Sequence, residues 1–151
     1  LVVSDSAKSF TKPQKMSGLD LKISTEEFTI TAWVEVTDES HSSKPILRKP
    51  MSSQPELSCW GWYFPSQLHY GAHDYHSLEM DAEQSWQVGV EAEAVFPESW
   101  FNHEAIVVHN HSATFYRNGQ ELNPGGTALP RTVTDCEGLI ELGGAGLRLS
   151  S

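Results

Sequence analysis

Alternation of apolar and polar residues is the feature that most restricts how this chain can fold. From Phe28 to Val36 every even position is apolar, and the odd positions are Thr, Thr, Trp and Glu. The segment from Trp86 to Phe96 follows nearly the same rule. Successive side chains of a β-strand point to opposite faces, so both segments are predicted to be strands with one buried face.

Shorter strand candidates follow at intervals, separated by Gly, Pro, Asn and Ser. They are residues 60–64, 67–71, 105–109, 113–117, 120–122 and 137–142. No window of eleven residues keeps apolar positions at helical spacing, so no helix is predicted. The sequence therefore predicts an all-β fold, an antiparallel two-sheet β-sandwich or jelly roll, with long loops at 37–58 and 71–85.

Composition limits the classes of protein and partner. The 151 residues are 38% hydrophobic, which suits one domain with a single core. A formal net charge of -10 would repel phosphate backbones, so nucleic acid is excluded as a partner. No apolar stretch approaches the roughly 20 residues of a transmembrane helix, so membrane insertion is not expected.

Six segments occur in an order that carries a family resemblance. They read Phe28-Thr-Ile-Thr-Ala-Trp-Val, Pro45-Ile-Leu-Arg-Lys, Trp60-Gly-Trp-Tyr-Phe, Trp100-Phe-Asn-His-Glu-Ala-Ile-Val-Val, Phe115-Tyr-Arg-Asn-Gly and Leu139-Ile-Glu-Leu-Gly-Gly. Together they resemble the laminin-G-like, concanavalin-A-like jelly rolls, to which pentraxins are similar in outline. The resemblance implies an extracellular recognition module that binds glycans or proteins, in some cases through a calcium ion at the rim.

The same resemblance predicts where the domain begins. Residues 1–18 are expected to form an N-terminal segment or first edge strand, and residues 19–151 the jelly-roll domain. The strand that usually follows the Gly143-Gly144 segment is not recognisable before Ser151, so the last strand is expected to be missing or supplied from elsewhere. The opening Leu-Val-Val, without an initiator Met, suggests part of a larger polypeptide or assembly.

Ligand contacts are predicted on the two rim loops, because long polar loops on a rigid scaffold commonly carry function. The second loop contains His73, Asp74 and Tyr75, and Trp62 lies on the neighbouring strand. Aromatic rings can pack against the apolar faces of sugars or anchor a protein interface. His103, in the Trp-x-x-His motif, resembles a structural position of the family, where the ring packs or forms a hydrogen bond.

Three acids, Glu79, Asp81 and Glu83, have a spacing similar to that of retaining glycosidases of the laminarinase type. That resemblance would make Glu79 the nucleophile, Glu83 the acid/base and Asp81 the residue that tunes them. Retaining chemistry requires carboxyl groups about 5–5.5 Å apart, whereas residues four apart on a strand are separated by about 13 Å. Solvated acids are the simpler interpretation, and no enzymatic activity is expected.

Calcium is the one cofactor that the sequence leaves open. Calcium takes six to eight oxygen ligands, and Asp74, Glu79 and Asp81 offer carboxylates within one segment. None of the acids has the spacing of a self-sufficient calcium loop. A calcium site at these three residues is therefore a hypothesis.

Two further features concern covalent chemistry. Cys59 and Cys136 lie near predicted strands, where a disulfide is favoured over the alternative of two buried free thiols. Asn110-His-Ser112 fits the acceptor pattern for N-glycosylation at an expected hairpin tip.

The sequence thus predicts a non-catalytic recognition or assembly module of an extracellular or cell-surface protein, with a glycan or an extracellular protein as partner. Two alternatives stay open. One is a structural protein–protein module of a larger surface assembly, and the other is a retaining glycoside hydrolase built on Glu79 and Glu83.

Overall fold

The structure is a computed structural model that describes most of the chain in segments. The described residues are 8–10, 14–15, 27–36, 45–63, 73–80, 86–93, 101–131, 133, 136–137, 139–143 and 147–150. Every regular element within them is a β-strand, and the strands form two sheets with antiparallel pairing. The described residues contain no helix able to cross a membrane. The predicted all-β sandwich is confirmed.

The larger sheet has seven strands among the described residues. Its strands are β1 (Lys8–Phe10), β3 (Phe28–Val36), β8 (Asn102–His109), β9 (Ser112–Arg117), β10 (Gln120–Glu121), β11 (Thr127–Ala128) and β13 (Leu147–Ser150). Their order is β1-β13-β3-β8-β9-β10, and β11 pairs with β9 beyond this path. The strongly alternating β3 therefore lies inside the sheet, between β13 and β8.

The smaller sheet has six strands in the described part of the chain. They are β2 (Gln14–Lys15), β4 (Pro45–Pro50), β5 (Ser58–Tyr63), β6 (His73–Met80), β7 (Trp86–Glu93) and β12 (Glu141–Leu142). Their order is β2-β12-β4-β5-β6-β7.

The core lies between the inner faces of the two sheets. Its largest fully buried apolar side chains are Trp60, Trp62, Leu78, Ile106, Phe115, Ile46 and Ile140. Val34 and Val88 are also buried, while Ile30 and Val90 pack against this cluster from its margin. Burial of each such side chain contributes roughly 1.5–3 kcal/mol. The inner positions predicted from alternation are thus confirmed in β3 and β7.

One irregularity lets β4 bury consecutive residues. Pro45 is opposite Tyr63 but Leu47 is opposite Trp62, so Ile46 is an extra residue on the β4 side. Such a bulge interrupts the alternation of faces, and Ile46 and Leu47 are both buried.

The predicted loops at 37–58 and 71–85 need correction, because each contains a strand. β4 occupies residues 45–50, and β6 occupies residues 73–80 and pairs along its whole length with β7. The β6 sequence shows little apolar alternation, and its backbone pairing with two neighbouring strands makes it a strand. The strand predicted at 67–71 lies outside the described residues.

The end of the chain also differs from expectation. A strand does follow the Gly143-Gly144 segment, because β13 pairs with β3 on one side and with β1 on the other. The position beside β3 is therefore filled by the chain's own strand. The boundary placed between residues 18 and 19 stays a prediction.

Candidate ligand-binding face

An exposed aromatic pair lies on the outer face of the seven-stranded sheet. The β3–β8 register places Trp33 opposite His103, and their ring centroids are 5.1 Å apart with an interplanar angle of 54°. Trp33 is 42% exposed, and in the described residues the other exposed large hydrophobic residue is Leu139 at 47%. Trp is enriched at interfaces because its ring combines a large apolar surface with a polar N–H group, so Trp33 is a candidate contact residue.

The next row of the sheet extends this surface. Thr31 is opposite Ala105, and Ala105 is opposite Tyr116 on β9. Thr31 is exposed and Tyr116 is half-buried. Ala105 is buried, at 8% exposure, and carries only a methyl group between His103 along its own strand and Tyr116 across from it. We refer to Trp33, Thr31, His103, Ala105 and Tyr116 as the aromatic face.

The strand that carries His103 is held by a neighbouring turn. The His103 backbone N–H donates to Asn118 Oδ1 at 2.9 Å, and the Asn118 N–H donates to the His103 carbonyl at 2.7 Å. Asn118 Nδ2 donates to Asn102 Oδ1 at 2.8 Å. Asn118 and Gly119 have φ of 50° and 80°, which is the conformation that Asn-Gly turns favour. The aromatic face is therefore preorganised.

A buried ion pair lies on the opposite side of the same two strands. Arg117 Nε donates to Glu104 Oε1 at 2.8 Å, and the two residues face each other in the β8–β9 ladder. Glu104 is 0% exposed. Separating such a pair would leave a charge in a medium of low dielectric constant, so the pair fixes the register that positions His103 and Tyr116.

The structure contradicts the prediction that Trp62 contacts a ligand. Trp62 is 0% exposed and packs in the core between the sheets, because its position on β5 is opposite Leu47 on the inner face. A ring without accessible surface cannot contact a ligand, so Trp62 has a structural role.

The remaining predicted contacts lie on a strand rather than in a loop. His73, Asp74 and Tyr75 begin β6, where they are opposite residues 93, 92 and 91 of β7. Their role as ligand contacts stays a prediction.

The predicted acid cluster is only partly described. Glu79 lies on β6 opposite Gly61, while Asp81 and Glu83 lie outside the described residues. No group of three or more His, Cys, Asp or Glu residues suited to a metal ion occurs in the described part of the chain. Calcium binding and catalysis stay hypotheses.

The two cysteines are joined in a disulfide, with Cα atoms 6.1 Å apart. Cys59 is buried in β5, and Cys136 lies in the segment that leads to β12. In the same region Ser52 Oγ donates to the Glu137 carbonyl. The bridge thus fastens this segment to the start of β5.

Trp33 is the residue that the sequence reasoning missed. The alternation of β3 assigned it to the polar face, together with Thr29, Thr31 and Glu35. A single tryptophan among polar residues on the outer face of a strand was the available signal. The aromatic residues considered as contacts lay instead on β5, on β6 and in the segments around them.

Two antiparallel sheets packed face to face, with the chain's first and last described strands paired at one edge, define a jelly-roll β-sandwich. Residues 12–144 match the laminin G family model that is described as the Concanavalin A-like lectin/glucanases superfamily. The chain belongs to this family. A comparison with curated protein sequences gives no match.

Solved structures with the same fold include laminin domains, a sialidase CBM40 and part of a whole sialidase. Mouse laminin alpha1 chain, domains LG4-5, has a TM-score of 0.63 at 12% identity, covering 99% of this chain and 44% of that one. The CBM40 of Ruminococcus gnavus IT-sialidase, bound to alpha2,3 sialyllactose, has 0.56 at 14%, covering 96% and 90%. Trypanosoma rangeli sialidase has 0.50 at 14%, covering 82% and 19%. At these identities the likeness shows the fold.

Proposed function

We propose that this domain is a non-catalytic recognition module and that its aromatic face binds a glycan. The observation that carries the proposal is the exposed Trp33 ring, paired with His103 on a sheet whose turns and buried ion pair hold it rigid. A preorganised surface binds with less loss of conformational entropy than a mobile loop.

The chemistry of the face suits a sugar. The apolar C–H face of a pyranose can pack against the Trp33 ring, while the hydroxyl groups of Thr31 and Tyr116 can exchange hydrogen bonds with sugar hydroxyls. The fold shared with the sialyllactose-bound CBM40 supports the same class of ligand. A protein is the competing ligand, because exposed aromatic rings also anchor protein interfaces.

A glycan array, run with calcium and again with a chelator, identifies the ligand and tests the calcium hypothesis together. A signal that the chelator removes supports metal-dependent binding, for which Asp74, Glu79 and Asp81 are the predicted ligands. A signal that the chelator leaves unchanged refutes the metal site and supports glycan binding that needs no metal ion. Silence in both conditions contradicts glycan binding and favours a protein ligand.

The role of the aromatic face is tested with single variants on the ligands that the array returns. Trp33→Ala is expected to weaken binding by about 2 kcal/mol, roughly thirtyfold in Kd, as for a central aromatic contact. Leu139→Ala is the matched control, because Leu139 is similarly exposed but lies outside the face. Equal Kd values for Trp33→Ala and wild type would contradict the proposal.

The proposed absence of catalysis has its own assay. Release of reducing sugar from β-glucans that Glu79→Gln abolishes would establish a glycosidase and overturn the non-catalytic proposal. An extracellular or cell-surface setting is also proposed, and the Cys59–Cys136 disulfide supports it because disulfides persist in oxidising compartments.

A further inference from the structure

The tip of the β8–β9 hairpin presents an asparagine in an acceptor sequence. Asn110-His111-Ser112 is the one Asn-x-Ser/Thr sequence among the four asparagines of the chain. Asn110 and His111 form the two-residue corner, with φ of 48° and 57°, and both are exposed. From this placement we propose that Asn110 carries an N-linked glycan in the secreted protein.

The acceptor atom has one hydrogen-bond partner that remains compatible with a sugar. Asn110 Nδ2 donates to His109 Nε2 at 2.8 Å, and His109 Nδ1 lies 2.9 Å from Glu27 Oε1. Because the amide nitrogen is a donor, Nε2 accepts and the hydrogen is on Nδ1, facing the carboxylate. A glycosylated amide nitrogen keeps one hydrogen, so the same contact with His109 can persist after modification.

The position of the glycan keeps it away from the aromatic face. His103 is the second residue of β8, and His109 ends the strand six residues later. At about 3.4 Å per residue, the two positions are roughly 20 Å apart. Trp33 is opposite His103, so the glycan and the proposed ligand occupy opposite ends of one strand pair.

The folded hairpin also indicates when the sugar is added. Ser112 pairs with Ala128 of β11, and the Leu129 N–H donates to the His111 carbonyl at 2.8 Å. Gly126 lies so close to the Ser112 hydroxyl that a β-carbon there would overlap it. The serine hydroxyl is part of the acceptor pattern, and in the folded state it lies against the backbone of Gly126. We therefore infer that the sugar is added before β11 docks on the hairpin.

The test is expression in a eukaryotic secretory host, followed by peptide N-glycosidase treatment and mass spectrometry. Wild type is expected to lose mass and to show aspartate at position 110. Ser112→Ala removes the acceptor pattern while keeping the Asn110 turn, and is expected to lose the shift. Ser112→Thr, the matched control, is expected to keep it.

Unmodified wild type from that host, or a shift that persists in Ser112→Ala, overturns the assignment. The timing is tested with folded, unglycosylated protein from a bacterial host and purified oligosaccharyltransferase. We expect the folded domain to remain unmodified and the reduced, denatured chain to be modified at Asn110. Equal modification of the two forms overturns the inferred order.

Discussion

Removal of the Cys59–Cys136 disulfide is expected to cost a large part of the domain's stability. The bridge closes a loop of 77 residues in sequence. In the chain-entropy description, a cross-link over this separation lowers the free energy of the folded state relative to the unfolded one by about 4.5 kcal/mol. Domains of this size commonly have a free energy of unfolding of about 5–15 kcal/mol, so reduction should remove between about a third and nearly all of it.

The assay is equilibrium unfolding in urea, followed by tryptophan fluorescence, for three samples. These are the oxidised wild type, the wild type refolded in reductant, and the double variant Cys59→Ala/Cys136→Ala. With a denaturant slope of about 2 kcal/mol per molar, reduction should lower the urea midpoint by roughly 2 M.

The reduced wild type separates the cross-link from the packing. Cys59 is buried in the core, so its truncation adds a cavity cost that reduction does not. The double variant should therefore be slightly less stable than the reduced wild type. A loss of less than about 1 kcal/mol on reduction would refute the argument, because the loop-closure entropy would then be absent.

Two further changes address the ion pair and the β11 packing. Glu104→Gln is expected to lower the free energy of unfolding by about 3 kcal/mol, because it leaves Arg117 charged and buried. The double variant Glu104→Leu/Arg117→Met should recover most of that loss. Equal losses for the two variants in urea titrations would contradict this. Gly126→Ala should lower the melting temperature more than Gly125→Ala. Both glycines have positive φ, but only at Gly126 does the added methyl group overlap Ser112; equal shifts would contradict the packing argument.

Strands with strong alternation could be predicted from sequence, because apolar residues at every second position indicate that one face of the strand is buried. In β3 the even positions through Val34 pack on the core, and Thr29, Thr31 and Trp33 are exposed. β6 could not be predicted in this way. Its residues acquire strand structure from pairing with β5 and β7, and such pairing depends on segments distant in sequence.

The candidate site shows the same division. Aromatic residues near polar loop segments suggested Trp62 as a contact, yet the β4–β5 register places it in the core. Sequence alternation did put Trp33 on the outer face, but its partner His103 is 70 positions away, counting from 33 to 103. Only the β3–β8 register brings the two rings together.

The order of residues by itself determined the all-β class, the family, the half-buried strands and the acceptor sequence at Asn110. These depend on local periodicity or on short motifs. The tertiary structure decided which aromatic ring is exposed, which segment becomes β6 and how Cys59 reaches Cys136. These properties follow from pairing and packing between segments far apart in the chain, which no local pattern encodes.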